Sequence, residues 1–519
     1  MSVGDVSAVA VKYAILPLIA YHLVIWVYRF FLHPLRKYPG PRLSWFSDAY
    51  GGWFAYKKDL HLQTHRDHLK YGKLKTLSSS VIRQGPNKLI FNSTTAYQEI
   101  YLKESISKSQ SYAAGNADPS TGNAFNTIDK RVHRVKRRLV GQLTTERSMR
   151  VFESQMIEQI DVFLGQILAT SQTNPNAAID MSQRCRWLGL DIVGHLGFGY
   201  DLKLQTDPLN RFLVHAMEIA SWRLNIYMQY PFLRQLKFEA LFWLLAVLQG
   251  KSFFQLLRKM IDARAAQDKH AKHDLYSVMV DAVDAPEGDR ITMREIWIEA
   301  ILFIPAGGDT SSTAMSSTFF YLARNPHCMK KLAEEIRSAF ASGKDIRVGP
   351  ELTGCRYLRA CIDEALRMSP PVPGTLWRER SPGYENQPWI IDGHVIPRGT
   401  KVGVSAYCLH HNDKYFPDPF TYKPERFLEI EEGSAESKAA KAAFVPFSIG
   451  SRSCAGKAMA YQETTLTLAK TIWYFDFDMA NEHALDEVEF RLQDVLTSHH
   501  NGPFLKFRPR GELWKELQD

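Results

Sequence analysis

The run from Thr292 to Arg324 constrains this chain more than any other stretch. Thr292 followed by Glu295 is a Thr-x-x-Glu capping box, in which the two side chains satisfy each other's backbone N–H groups. Asn325-Pro326 ends the helix, because proline cannot continue the hydrogen-bond ladder and disfavours helix at the residue before it. At about 1.5 Å per residue this is a rod of about 48 Å, long enough to cross an entire domain. The 519 residues, 45% hydrophobic and 23% charged with no long biased run, are ordinary globular composition and predict one large folded unit. Short alternating runs between Asp59 and Asn116, and WIIDGHVIPRGTKVGVSAY with its Asp392-Gly393 turn, read as strands. The expected fold is mainly α with small β-sheets.

The N-terminus reads as a separate element. Tyr13 to Leu32 is a nearly continuous apolar run of bilayer length, and the basic flank Arg29, Arg36, Lys37 and Arg42 orients the remainder of the chain towards the cytosol. A cleaved signal peptide is the competing reading, without a small-x-small cleavage site to support it. Pro39-Gly40-Pro41 then breaks any helix. The expectation is a transmembrane anchor over residues 1–38 and a catalytic domain over 39–519. Six scattered cysteines without CxxC spacing suggest neither a disulfide scaffold nor a zinc site, and a catalytic part facing a reducing compartment. The net charge of +9 is concentrated between Lys130 and Arg138, without nucleic-acid motifs, so nucleic acid is not expected as a partner.

Three groups of residues carry chemistry. Ala306-Gly307-Gly308-Asp309-Thr310 lies mid-helix, where two glycines cost about 1–2 kcal/mol relative to alanine. Pro305 removes the bond to the Ile301 carbonyl and predicts a kink. A carboxylate beside a hydroxyl can pass protons; the alternative is a helix end with a new N-cap at Asp309 or Thr310. Cys454 precedes a helical pattern from Lys457 to Tyr474, where backbone N–H donors favour a thiolate; an ordinary buried cysteine is the alternative. Glu364 and Arg367 lie three apart on one helix face, weak by itself, and Pro424-Glu425-Arg426-Phe427 comes after them.

Phe447, Gly450, Arg452, Cys454 and Gly456 fill all five defining positions of FxxGxRxCxG, and by them the chain resembles the cytochrome P-450 family. The resemblance runs in order through anchor, proline hinge, basic helix, long helix, ExxR, PxRF and cysteine loop. In HPLRKYPGPR and DEALRMSPPVPG it is most similar to fungal microsomal enzymes of secondary metabolism. It implies haem b with Cys454 as axial thiolate, Gly456 close to the porphyrin and Phe447 shielding the sulfur. It further implies that Gly307 and its neighbour open a dioxygen groove and that Asp309 and Thr310 relay protons. Arg452, Arg378, His133 and Arg137 would meet the propionates, although the family more often has Trp at the position of His133. Glu364, Arg367 and Arg426 would brace the cysteine loop.

The implied activity is monooxygenation of an apolar small molecule with O2. No GxGxxG comes after a strand, so NADPH-derived electrons would come through a separate flavoprotein reductase. The basic helix, with Arg134, Lys136 and Arg138, is either its docking face or an ordinary solvated one. The implied location is the endoplasmic reticulum membrane, single-pass, with the catalytic domain cytosolic. The expected pocket segments are Ser111 to Phe125, Trp222 to Trp243, Val372 to Leu376 and Ser498 to Gly502. The rival readings are a haem-thiolate isomerase or dehydratase without a reductase, and a non-catalytic haem-binding membrane protein.

Overall fold

The capping box forms as the sequence requires: the Thr292 hydroxyl accepts from the Glu295 N–H at 3.2 Å, and the Glu295 carboxylate accepts from the Thr292 N–H at 2.9 Å. In the computed structural model, which describes residues 13, 16–72, 80–116, 121–235, 239–428, 434–480 and 488–518, the long helix runs Met293–Arg324 and continues through Pro305. The helices that position the site, with the N-terminal one, are α1 (Leu16–Val27), α2 (Lys130–Leu143), α3 (Glu146–Thr173), α4 (Met181–Phe198), α5 (Phe212–Gln229), α6 (Met293–Arg324), α7 (Arg356–Met368) and α8 (Lys457–Tyr474).

Helix α6 lies against α4 at backbone distance. A Cβ on Gly307 would stand 2.3 Å from Val193 Cγ2, one on Gly308 2.5 Å from Leu190 Cδ2, and one on Gly189 3.0 Å from the Gly308 carbonyl. The glycine pair, expected to open a dioxygen groove, is thus demanded by helix packing. Beyond it, Met315, Phe319, Phe320 and Leu322 enter the main core with Leu188 and Ile192 of α4 and Leu466 and Ile472 of α8.

Twelve strands are described: β1 (Val81–Gly85), β2 (Lys88–Phe91), β3 (Ile106–Lys108), β4 (Ile179–Asp180), β5 (Arg378–Arg380) and β6 (Ile390–Ile391). The rest are β7 (His394–Val395), β8 (Lys401–Val404), β9 (Phe475–Met479), β10 (Gln493–Val495), β11 (Thr497–His499) and β12 (Phe504–Pro509). They form a five-stranded sheet of order β1-β2-β8-β5-β3, a three-stranded sheet β4-β12-β9 and two hairpins. Asp392 (φ 48°) and Gly393 (φ 75°) turn the β6–β7 hairpin, as their left-handed tolerance predicts. The mainly helical fold with small sheets is borne out.

The N-terminal expectation needs one correction. Among the described residues no helix is long and apolar enough to cross a membrane. The run Tyr13 to Leu32 forms α1, of 12 residues, and a π-helical turn at Tyr28–Leu32, while residues 1–12, 14 and 15 lie outside the described ones. The helix stops where His33 becomes extended before Pro34, and Arg29 donates to the Phe46 carbonyl, tying the end of the run to the globule. The segment before residue 39 also packs on the globule. Leu35 and Tyr38, placed in the anchor flank, are buried with Val81, Leu89 and Phe91 beneath the five-stranded sheet. The Pro39 carbonyl accepts from the Arg83 N–H at 2.7 Å, so this segment covers an edge that β1 would otherwise expose.

Removing residues 1–32 should leave thermal stability and cofactor retention close to those of the full chain. Extending the deletion through Tyr38 should destabilise it by several kcal/mol, each buried large side chain costing about 2–5 kcal/mol. Thermal unfolding of the two truncated proteins measures the difference.

Candidate active site

The loop before α8 is wound by its own backbone. The Cys454 N–H donates to the Phe447 carbonyl at 2.8 Å and the Ser453 N–H to the Gly450 carbonyl at 3.0 Å. Gly450 has φ 76°, and a Cβ there would sit 2.5 Å from the Tyr101 carbonyl, so both conformation and space demand glycine. Arg137 reaches across from α2 to the Ser453 carbonyl at 2.7 Å. The Phe447 ring lies 5.0 Å from that of Tyr461. Burial among protein atoms pushes the Cys454 thiol up, while the Gly456 N–H, Arg137 and Lys457 act in the opposite direction. A coordinated cation ionises such a thiol outright. The other five cysteines are buried; Cys454 alone among the six opens onto the large cavity beside α6.

Behind the loop stands a charge network centred on the fully buried Glu364 and Arg367. Arg367 grips Glu364 with Nε at 2.7 Å and Nη2 at 2.9 Å, and Arg426 Nε adds a third bond at 3.0 Å. The Lys423 N–H supplies a fourth at 3.0 Å. Arg367 Nη1 then donates to the His410 carbonyl at 3.0 Å. His410 passes the brace onward: its Nδ1 faces the Arg367 carbonyl at 3.0 Å and its Nε2 receives the Val445 N–H at 2.9 Å. A carbonyl only accepts and an N–H only donates, so the ring is neutral with its proton on Nδ1. Burial, with His411 and Arg367 nearby, holds its pKa well below the usual value. His410 was missed from sequence; a histidine beside another histidine carries no signal of such a tie.

The cavity has a volume of about 1360 Å³, above the roughly 300–1,000 Å³ of a typical small-molecule site. Phe447, Cys454 and Gly456 line it from the loop, and Ala306, Gly307 and Thr310 from α6. A Cβ on Gly456 would meet no atom within 4 Å, so that surface is clear for a flat group. The Thr310 hydroxyl donates to the Ala306 carbonyl at 2.7 Å. Asp309, expected beside it, is on the far side of the helix and does not line the cavity; its Oδ1 is 3.4 Å from Arg186 Nε of α4. Burial raises this carboxyl to about 6, against the pull of Arg186.

One end of the cavity is cationic. Lys108, His133, Arg137 and Arg452 line it and also a side pocket of about 330 Å³ to which Arg378 is added. The sequence named all of these except Lys108, which gave no signal because it is a lysine in a strand. Burial lowers Lys108, takes Arg452 to about 10 and takes His133 to about 3, with the neighbouring cations adding to each shift. Buried like charges are unstable without a counter-ion. Among the described residues the one acid lining the main cavity is Glu299, already engaged by Lys136 at 3.1 Å. The cluster therefore fits a group bearing carboxylates, and the open thiol fits a metal at its centre.

Three pocket segments reach the cavity, through Ala114 and Phe125, Trp222 and Leu224, and Val372 and Leu376; residues 117–120 and Phe238 lie outside the described ones. The fourth is displaced: Leu496 and Thr497 line the wall, whereas Ser498 to Gly502 pass behind α6, where His500 Nε2 is 3.0 Å from Thr313 Oγ1. Phe253 and Phe254 were not anticipated. Lys136 is a further correction. It is buried against Glu295 at 3.0 Å as well as Glu299, and is no part of a docking face.

A single open cysteine beneath a helix-walled cavity with a buried cationic rim defines a haem-thiolate protein. Residues 39–507 match the cytochrome P-450 family, and the chain belongs to that family. It is 31% identical to cytochrome P-450 monooxygenase apf7 of Gibberella fujikuroi, the alignment covering 94% of this chain and 96% of that one. It is 32% identical to poxM of Penicillium oxalicum (93% and 91% covered) and 31% identical to atnE of Emericella nidulans (93% and 94%), both named cytochrome P-450 monooxygenases. The protein is a haem monooxygenase whose haem b takes a cysteine thiolate as axial ligand.

Replacing Cys454 by Ala should abolish the red-shifted Soret band of the reduced, carbon-monoxide-bound protein. His410→Ala should keep the ligand but loosen its loop, since an orphaned buried N–H at Val445 costs about 1–3 kcal/mol. The expected result is that band decaying faster on warming than in the wild type.

Proposed function

We propose that this protein is a membrane-anchored monooxygenase of secondary metabolite biosynthesis. It oxidises an apolar small molecule with O2 and with NADPH-derived electrons delivered by a separate flavoprotein reductase. The observation that carries the reading is the meeting of Cys454 and Thr310 on one largely apolar cavity. Cys454 would hold the metal. Arg137, Arg378, Arg452, Lys108 and His133 would hold the propionates, the imidazole as a neutral donor. Bound haem supplies dioxygen activation, and a thiolate ligand favours O–O cleavage.

The chain's own residues do the rest. Trp222, Leu224, Phe253 and Leu376 exclude water and take the substrate's apolar surface. Thr310 offers a hydroxyl at the cavity wall, and Asp309, buried and able to hold a proton near neutral pH, replenishes it from behind α6. Reduction of O2 to water consumes protons from outside the substrate, whereas isomerisation and dehydration consume none net. The exposed Leu23, Val24, Trp26 and Phe31 of the N-terminal run support attachment at the endoplasmic reticulum membrane, with the catalytic domain cytosolic.

Thr310→Ala tests the reading. Haem content and substrate binding should persist while product formed per NADPH oxidised falls and peroxide rises. Loss of a positioned proton donor costs about 10²–10⁴-fold in the step it serves. Unchanged coupling removes Thr310 from the mechanism. Reductase docking is assigned to the solvated face of α2, now Arg134 and Arg138 without Lys136. Reversing both charges should weaken reductase-supported turnover as added salt does, exposed charges being screened within about 8–10 Å, and should leave peroxide-supported turnover intact.

A further inference from the structure

Behind α6, Asp309 competes for its only described arginine partner. Arg186 points Nη1 at His499 Nδ1, 3.3 Å away on β11, while its Nε is 3.4 Å from Asp309 Oδ1 and makes no hydrogen bond. The arginine N–H at 3.3 Å is nearer than the Glu218 carboxylate at 3.5 Å, which makes Nδ1 the accepting nitrogen and puts the His499 proton on Nε2. Burial and Arg186 both hold the ring neutral, at about 4. The same Nδ1 is 3.5 Å from Glu218 Oε2 of α5, and Glu218 is held by Lys58 at 2.7 Å and approached by the exposed His215 at 3.8 Å. Arg186, Glu218, His215 and Lys58 are thus the charged and titratable groups facing the imidazole, with His500 next in the chain tied to Thr313.

We propose that neutral His499, by accepting from Arg186, keeps the guanidinium from committing to Asp309 and so leaves that carboxyl able to carry a proton. His499 is then a positioning residue: it acts on Asp309 through Arg186 and touches neither substrate nor cofactor. The geometry is that of one guanidinium held by its Nη1 on His499 in a position where its Nε stands 3.4 Å from Asp309 without a hydrogen bond. Were His499 absent, only the Coulombic pull of Glu218 would oppose a close Arg186–Asp309 pair, and an ion pair at short range favours the carboxylate. The proposal rests on the reading of Asp309 as part of the proton supply.

The test is the protonation midpoint of Asp309 in the resting, haem-loaded protein, followed by the infrared carbonyl stretch of its acid form and identified by its loss in Asp309→Asn. His499→Phe keeps a ring but offers no acceptor, and should make Asp309 more acidic by about tenfold in its dissociation constant. His499→Asn places an amide oxygen near the Nδ1 position and should restore the wild-type midpoint. An unchanged midpoint in His499→Phe, or an equal fall in both variants, overturns the proposal. Nitrogen NMR of the wild type is independent of any variant: a bare Nδ1 at neutral pH supports it, and a protonated Nδ1 overturns it. Unchanged coupling in Asp309→Asn would instead refute the role of Asp309 in proton supply, while the midpoints still judge what His499 does to Arg186.

Discussion

The buried carboxylate of Glu364 is the point on which the site hangs. It has no water to turn to, and it is satisfied from Arg367, from Arg426 and from the Lys423 N–H. Removing one partner of a buried pair leaves an uncompensated charge and costs about 3–5 kcal/mol, so α7 and the Pro424–Phe427 turn are locked to each other. His410 carries that rigidity to Val445, at the entrance to the cysteine loop. The ligand's position is therefore decided by a network that never touches the cavity. This is how a loop, ordinarily the least rigid part of a fold, comes to hold a metal ligand.

At the other wall the constraint is the reverse: an absence of side chains. Gly189, Gly307 and Gly308 let α4 and α6 meet at backbone distance. Close contact brings Arg186 of α4 within reach of Asp309, one residue beyond the glycines. The cost of glycine in a helix interior and the electrostatics behind the helix are one arrangement. Sequence inspection assigned that cost to the cavity side alone.

Range decides how much of this was legible in the sequence. The limits of α6 and the β6–β7 turn depend on neighbours within a few residues, and both could be read. Glu364, Arg367 and Arg426 were legible through a family pattern. Lys136 was misread because its partners Glu295 and Glu299 lie on another helix. A signal did exist, since His133, Lys136, Leu139 and Leu143 recur at helical spacing and share the buried face. The positions of Asp309 and of Ser498 to Gly502 depended on how elements far apart in the chain pack, which periodicity does not encode. At the N-terminus apolarity gave the length of a run, but neither its change from α1 to a π-helical turn at Tyr28 nor the tie of Arg29 to Phe46.

The hairpin of β10 and β11 turns at Leu496, and Leu496 and Thr497 form part of the cavity wall. His499 stands two residues later on the same strand and meets Arg186. On the proposed role of His499, substrate range and acid chemistry are coupled along this ribbon. A lineage that reshapes its pocket at Thr497 also shifts the imidazole behind α6, and Val372 follows Pro370 and Pro371, which bond to Ser498 of the same strand, whereas Phe253 stands on a separate element, the helix Glu239–Ala265. Diversification of substrates has a freer path through that wall, and an engineer seeking a wider pocket without retuning the chemistry would begin there.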